Sequence, residues 1–194
     1  MGGVRLESFI KPILLIGLCF TIGAAGLAAQ QRNELGSWIG VSTGTPTLIG
    51  KTEHVSLIMT GVRYSRTVLQ RPTLTLRYTV DVIPIARLTY PLASVSGKGA
   101  APLGFEISFR PDRRVQPAVV SSGGFIYFDQ SLPSDGGARF NFSADLGIGI
   151  RIYLGHSIHA RGEYKYHHLS NGYRAPANPG FDSNLMSIGL SISP

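Results

Sequence analysis

From Phe140 to Leu154 the chain alternates without a break. Phe140, Phe142, Ala144, Leu146, Ile148, Ile150, Ile152 and Leu154 share one side; Arg139, Asn141, Ser143, Asp145, Gly147, Gly149, Arg151 and Tyr153 share the other. Successive side chains of a strand point to opposite faces, whereas a helix of 3.6 residues per turn would scatter this pattern around its circumference. At about 3.3 Å per residue, the run is long enough to cross a bilayer even when tilted. Two shorter runs repeat the pattern. Leu74, Leu76, Tyr78, Val80 and Val82 oppose Thr73, Thr75, Arg77, Thr79 and Asp81, and Leu103, Phe105, Ile107 and Phe109 oppose Gly104, Glu106, Ser108 and Arg110. Extended to the whole chain, the reading predicts eight strands, roughly 34–43, 54–65, 72–83, 103–110, 115–128, 139–154, 158–170 and 182–192. Clusters of Gly, Pro, Ser and Asp separate them, and no helix, linker or internal repeat is visible.

A soluble barrel buries its apolar face, and a membrane barrel turns that face outward. Only 15% of the residues are charged and the mean hydropathy is just +0.14. Soluble domains carry about 25% charged residues, and no segment after residue 29 approaches the ~20 apolar residues of a spanning helix. The polar side of 158–170 holds His159, Arg161, Glu163, Lys165 and His167, whose charges can satisfy one another in a polar lumen. Expected short joints at 66–71, 111–114 and 155–157 alternate with longer ones at 44–53, 84–102, 129–138 and 171–181. These features predict an all-β fold, an eight-stranded antiparallel transmembrane β-barrel of the outer membrane, with both termini in the periplasm and the long loops outside.

The N-terminus reads as a signal peptide over 1–29, followed by one barrel domain over 30–194. Arg5 and Lys11 form a positive n-region, Ile13 to Leu27 an apolar core, and Gly26, Ala28 and Ala29 small residues for cleavage. A single membrane anchor is the competing reading. The lone cysteine, Cys19, falls inside the apolar core, so the mature chain needs no disulfide or thiolate chemistry. Losing Arg5, Lys11 and Glu7 changes the net charge from +7 to +6. In an exported protein that surplus points to an anionic membrane surface or lipid headgroup, not to nucleic acid.

The polar residues that do not fit the alternation carry the chemistry. His168 and Ser170 fall on the same outward side as Tyr164 and Tyr166. In the next strand, Asp182 precedes Asn184, Met186, Ile188, Leu190 and Ile192 on that side, and an antiparallel hairpin returns it to the level of His168. A hydroxyl, a base to take its proton and a carboxylate to orient the base make a hydrolase triad. Ser170, His168 and Asp182 can fill those roles. The connecting loop offers the amides of Asn171 and Asn178, close backbone approach at Gly172 and Gly180, and Arg174 for a phosphate. The plainer alternative makes His168 and Ser170 interfacial residues at headgroup level. An unpaired carboxylate at Asp182 facing lipid would then be costly. By parity His167 belongs to the lumen.

His168-Leu169-Ser170-Asn171, the loop with Asn178-Pro179-Gly180, and an acidic residue opening the last strand resemble the PagL-type lipid A 3-O-deacylases of the acyloxyacyl hydrolase family. The resemblance is sharp over about 164–192. It implies an outer-membrane barrel with its triad on the lipid-facing surface, hydrolysing the ester-linked 3-hydroxyacyl chain at the 3-position of lipid A. It also implies His168 as base, Ser170 as nucleophile, Asp182 in the acidic position and Asn178 at the oxyanion hole; Asn171 and Gly172 are expected, from the loop itself, to be further positioning groups. The chain departs from the family in carrying Asp where Glu is usual, and it ends Ser193-Pro194 without the terminal aromatic common in outer-membrane barrels.

The expected partners are lipopolysaccharide as substrate and the outer membrane, with a homodimer left open and nucleic acid excluded. No cofactor or metal is expected, since the histidines at 54, 156, 159, 167 and 168 lack a matching set of carboxylates and cysteines. Two other functions stay open. One is a non-enzymatic barrel acting through loops 84–102 and 129–138; the other is a soluble, lipocalin-like lipid carrier.

Overall fold

The computed structural model describes residues 33–91 and 93–193. The expected signal peptide, with Cys19, lies outside the described residues. The described chain is a closed barrel of eight strands, each antiparallel to the next, with the last returning to the first. They are β1 (Asn33–Gly44), β2 (Ser56–Gln70), β3 (Leu74–Tyr90), β4 (Ala93–Phe109), β5 (Val115–Leu132), β6 (Ala138–Gly155), β7 (Ile158–Ser170) and β8 (Phe181–Ile192). One end of the barrel holds Asn33, Ser193 and the turns at 71–73, 110–114 and 156–157. The other, called the loop end below, holds 45–55, Pro91, 133–137 and 171–180.

The outer surface is an apolar belt. Leu146, Ile148 and Ile188 leave 62%, 65% and 63% of their surface uncovered. An unbroken surface of this kind is a liability in water and the ordinary dress of a transmembrane barrel.

The expected loop 84–102 does not exist. β3 runs to Tyr90 and β4 starts at Ala93, so the two strands form a hairpin with Pro91 in its turn. Each strand carries a proline at an irregularity. Ile83 and Ala86 point inward with Pro84 and Ile85 both exposed between them, and Ala101 and Gly104 flank exposed Pro102 and Leu103 in the same way. Proline lacks the ladder N–H, so it sits at bulges, and the extra residue reverses the phase of the alternation. A strict period of two stops at that point. β2 likewise runs on to Gln70, which shrinks the expected 66–71 joint to 71–73.

The lumen is polar only in its terminal half, another departure from expectation. There Arg63, Arg77, Arg151, Arg161 and Lys165 face Glu34, Asp81, Glu106, Asp145 and Glu163, a formally neutral set. Arg63 meets Asp81 at 2.8 Å and Glu163 at 2.6 Å; Arg151 meets Glu34 at 2.6 Å; Arg77 meets Glu106 at 3.0 Å; Lys165 meets Asp145 at 3.0 Å. Buried charges persist only when paired in this way. The loop half is an apolar plug of Leu57, Met59, Ile83, Leu88, Val95, Ile126, Phe128, Leu169, Phe181 and Leu185. Segments such as Leu57-Ile58-Met59 and Phe125-Ile126-Tyr127-Phe128 are apolar on both faces, one side meeting the plug and the other the belt. The plug gives the loop end a rigid floor beneath whatever sits on its rim.

Candidate active site

His168 and Asp182 are directly opposed in the β7–β8 ladder, with Ala144 of β6 on the far side of His168. Opposed residues in an antiparallel pair hold their Cβ atoms about 5 Å apart, within reach of an imidazole and a short carboxylate. His168 Nδ1 lies 2.6 Å from Asp182 Oδ1. The carboxylate accepts, so Nδ1 carries a proton and Nε2 is the ring nitrogen turned away from Asp182. The His168 side chain is 15% exposed and that of Asp182 fully buried.

What buries Asp182 is loop 45–55. The backbone N–H groups of Leu48, Ile49 and Gly50 all donate to Asp182 Oδ2, at 3.0, 2.9 and 2.8 Å. One oxygen therefore serves the imidazole and the other a cluster of amides, which compensate a buried charge without a cation. Apart from His168, none of the described basic side chains lies within ion-pair distance of Asp182. The carboxylate is thus outward by strand parity yet sealed from lipid.

Ser170 shares the outward face, half-buried, two residues beyond His168 and opposite Phe142. No hydrogen bond joins its hydroxyl to the ring among the described residues, while Nδ1 is committed to Asp182. Nucleophile–base bonds commonly tighten only in the substrate complex. Beside Ser170 lies an aromatic patch in which Phe140 stacks on Phe125 at 5.4 Å and meets Phe142 edge-on at 5.2 Å. The Arg174 guanidinium sits 5.2 Å from the Phe140 ring centre, and that of Arg139 4.8 Å from Tyr127.

Loop 171–180 gives its two asparagines different tasks. Asn171 is fully buried; its side-chain amide donates to Ala177 O at 2.7 Å and its backbone N–H to Asn178 Oδ1 at 2.9 Å. The backbone N–H and one of the two side-chain N–H groups are thus used within the loop, and Asn171 clasps it. Asn178 is oriented by accepting through Oδ1, which leaves its NH₂ group available for donation. Gly172 adopts φ +63°, and a Cβ there would lie 3.1 Å from the Phe142 ring. His167 points into the lumen, paired with Asp145. Sequence reasoning missed Leu48, Ile49 and Gly50, because backbone donors leave no trace in side-chain patterns.

A closed eight-stranded barrel with an apolar outer belt and a His–Asp pair on the outer face of its rim defines a class: the small transmembrane barrels of the outer membrane. Residues 59–191 match the family model described as "Lipid A 3-O-deacylase (PagL)". The chain belongs to that family. Among solved structures it is similar to the outer membrane enzyme PagL, with 16% identity, a TM-score of 0.59, and coverage of 82% of this chain and 98% of that one. It is also similar to Neisserial surface protein A, with 11% identity, a TM-score of 0.53, and coverage of 83% and 96%. No curated protein matches it in sequence.

Proposed function

We propose that this chain is an outer-membrane esterase that removes the ester-linked 3-hydroxyacyl chain at the 3-position of lipid A. Membership of the lipid A 3-O-deacylase family supports the reaction. The observation that carries the assignment of residues is the 2.6 Å His168–Asp182 pair on the lipid-facing rim, two residues from an outward hydroxyl. With both termini in the periplasm, the loop end faces outward, and the pair lies at the level of the outer leaflet, where the acyl esters of lipopolysaccharide lie.

In this reading His168 Nε2 takes the Ser170 proton as Oγ bonds to the ester carbonyl carbon. Asp182 holds the ring and stabilises its cation. The carbonyl oxygen gains the negative charge, for which the Asn178 amide and the Gly172 N–H are the donors within the loop. Each such donor contributes about 3–4 kcal/mol. The imidazolium then protonates the departing sugar 3-oxygen. Water, deprotonated by the same nitrogen, cleaves the acyl-enzyme to release a 3-hydroxy fatty acid and free Ser170. The Phe125–Phe140–Phe142 patch offers apolar contact to the acyl chain, and Arg174 and Arg139 offer cations to the lipid A phosphates.

The test is the mass profile of lipid A from cells whose lipid A carries an acylated 3-position and that express the chain in the outer membrane. Loss of one 3-hydroxyacyl chain is expected with the wild type and not with Ser170→Ala. Unchanged lipid A with the wild type overturns the proposal.

A further inference from the structure

The three backbone amides that hold the Asp182 carboxylate come from loop 45–55, and they lie outside the 59–191 family match. We infer that Leu48–Gly50 is a positioning element of the active site: its three amide N–H groups fix the Asp182 carboxylate and, through it, the orientation of His168. The inference rests on the assignment of His168 as the base.

Three observations carry it. The first is division of labour. All three amides converge on Oδ2, leaving Oδ1 to the imidazole, so the amides hold the carboxylate without competing for the ring.

The second is that side-chain packing does not explain where the segment sits. Leu48 and Ile49 are 77% and 64% exposed. The segment is docked on the neighbouring loop through backbone: Lys51 N donates to Pro179 O at 2.8 Å, Thr52 N to Gly180 O at 3.4 Å, and Thr52 bridges Phe181 in parallel. These bonds tie loop 45–55 to the residues that lead into Asp182.

The third is the glycine contact. A Cβ on Gly50 would lie 2.8 Å from both Asp182 Oδ1 and the Gly180 carbonyl carbon; one on Gly180, at φ +70°, would lie 3.0 Å from Gly50 Cα and 3.1 Å from His168 Cε1. Backbone atoms cannot swing aside as a flexible side chain can. Only two glycines let the loops close over the His–Asp pair, and any side chain at Gly50 pushes the amides off the carboxylate.

Gly50→Ala and Ile49→Pro test this in the full chain, folded in micelles. The first wedges the loop outward; the second deletes one donor while leaving Asp182 and His168 untouched. Folding is verified by heat-modifiable mobility on gels, and if Ile49→Pro fails that check, Gly50→Ala decides. The readouts are kcat and KM on purified lipid A, and the proton NMR signal of His168 Nδ1–H. That signal is separated from the His167–Asp145 signal by its persistence in His167→Gln and its loss in Asp182→Asn. A displacement of about 1 Å costs on the order of 100-fold in rate, so each variant is expected to lose about that much kcat, with KM within about twofold, and to lose or shift the His168 signal. Wild-type kcat with an unmoved signal overturns the inference, as does a fall in kcat with the signal unmoved. If the wild type itself leaves lipid A intact, the esterase assignment fails, and the NMR signal alone decides whether the segment positions the pair.

Discussion

Strand β7 carries two histidines side by side, each bonded through Nδ1 to an aspartate, on opposite faces of the barrel wall. Inside, His167 meets Asp145, whose other oxygen takes Lys165 at 3.0 Å and the Ser122 hydroxyl at 2.8 Å. Outside, His168 meets Asp182, whose other oxygen takes three amides. The difference is in what compensates the carboxylate. A lysine brings a full opposite charge to the inner carboxylate. The outer carboxylate is met by amides, which carry no net charge. Access differs as well, since His167 is buried in the lumen and His168 keeps an open edge on the rim. Similar residues therefore make a structural pair on one face and, in the proposed reading, a catalytic pair on the other.

The comparison breaks most sharply at the nucleophile and its base. Ser170→Ala and His168→Ala are each expected to lower kcat by about 10⁴-fold or more, in line with the loss of either partner in other serine hydrolases. His167→Ala removes the same side chain one residue away. It is expected to leave kcat within a few-fold and to lower resistance to urea in vesicles. Fatty-acid release from lipid A measures the first effect and a denaturation midpoint the second. Equal losses of kcat in the two histidine variants would remove the distinction between the faces.

The faces were legible in the sequence because β7 keeps a clean period of two, and one register choice places His168, Ser170 and Asp182 together on the outer side. The apolar plug was not legible, since Ile58 and Tyr127 on the belt interrupt no pattern when Leu57, Met59, Ile126 and Phe128 inside are equally apolar. Nor was the β3–β4 hairpin, where Pro84 and Pro102 each shift the phase by one residue. Gly50 carried no signal, because its role is an N–H and a missing Cβ. Asn171 was legible as a loop amide but not as a buried clasp, since the sequence does not say which loop carbonyl lies opposite.

The outer carboxylate sharpens the comparison next. Asp182→Asn keeps the shape and removes the charge, with an expected loss of about 10⁴-fold in kcat. Asp182→Glu keeps the charge and adds a methylene where both oxygens are already bonded and the space beside Oδ1 is already closed by Gly50. Overpacking of this kind costs about 1–3 kcal/mol, so the longer acid is expected to lose about 10–100-fold despite its like chemistry. Full activity in Asp182→Glu would show that loop 45–55 yields freely to the acid. Asn178→Ala follows, at about 10²–10³-fold in kcat for one lost oxyanion donor; an unchanged kcat would remove Asn178 from that role.

The inner lysine gives the smallest effect on catalysis and the cleanest separation of the two pairs. Lys165→Met leaves Asp145 with only His167 and the Ser122 hydroxyl, and also removes the 3.4 Å contact to Glu163. Breaking one partner of a buried ion pair costs about 3–5 kcal/mol, so a large drop in the urea midpoint is expected. Nothing in that change reaches the rim, because Lys165 and His168 point to opposite faces of β7. The kcat of the folded fraction should therefore stay within about twofold while the Asp145-bonded His167 proton shifts in the NMR spectrum. If kcat instead falls with stability, the charge network inside the barrel sets the geometry of the pair outside, and the two faces of β7 are a single coupled site.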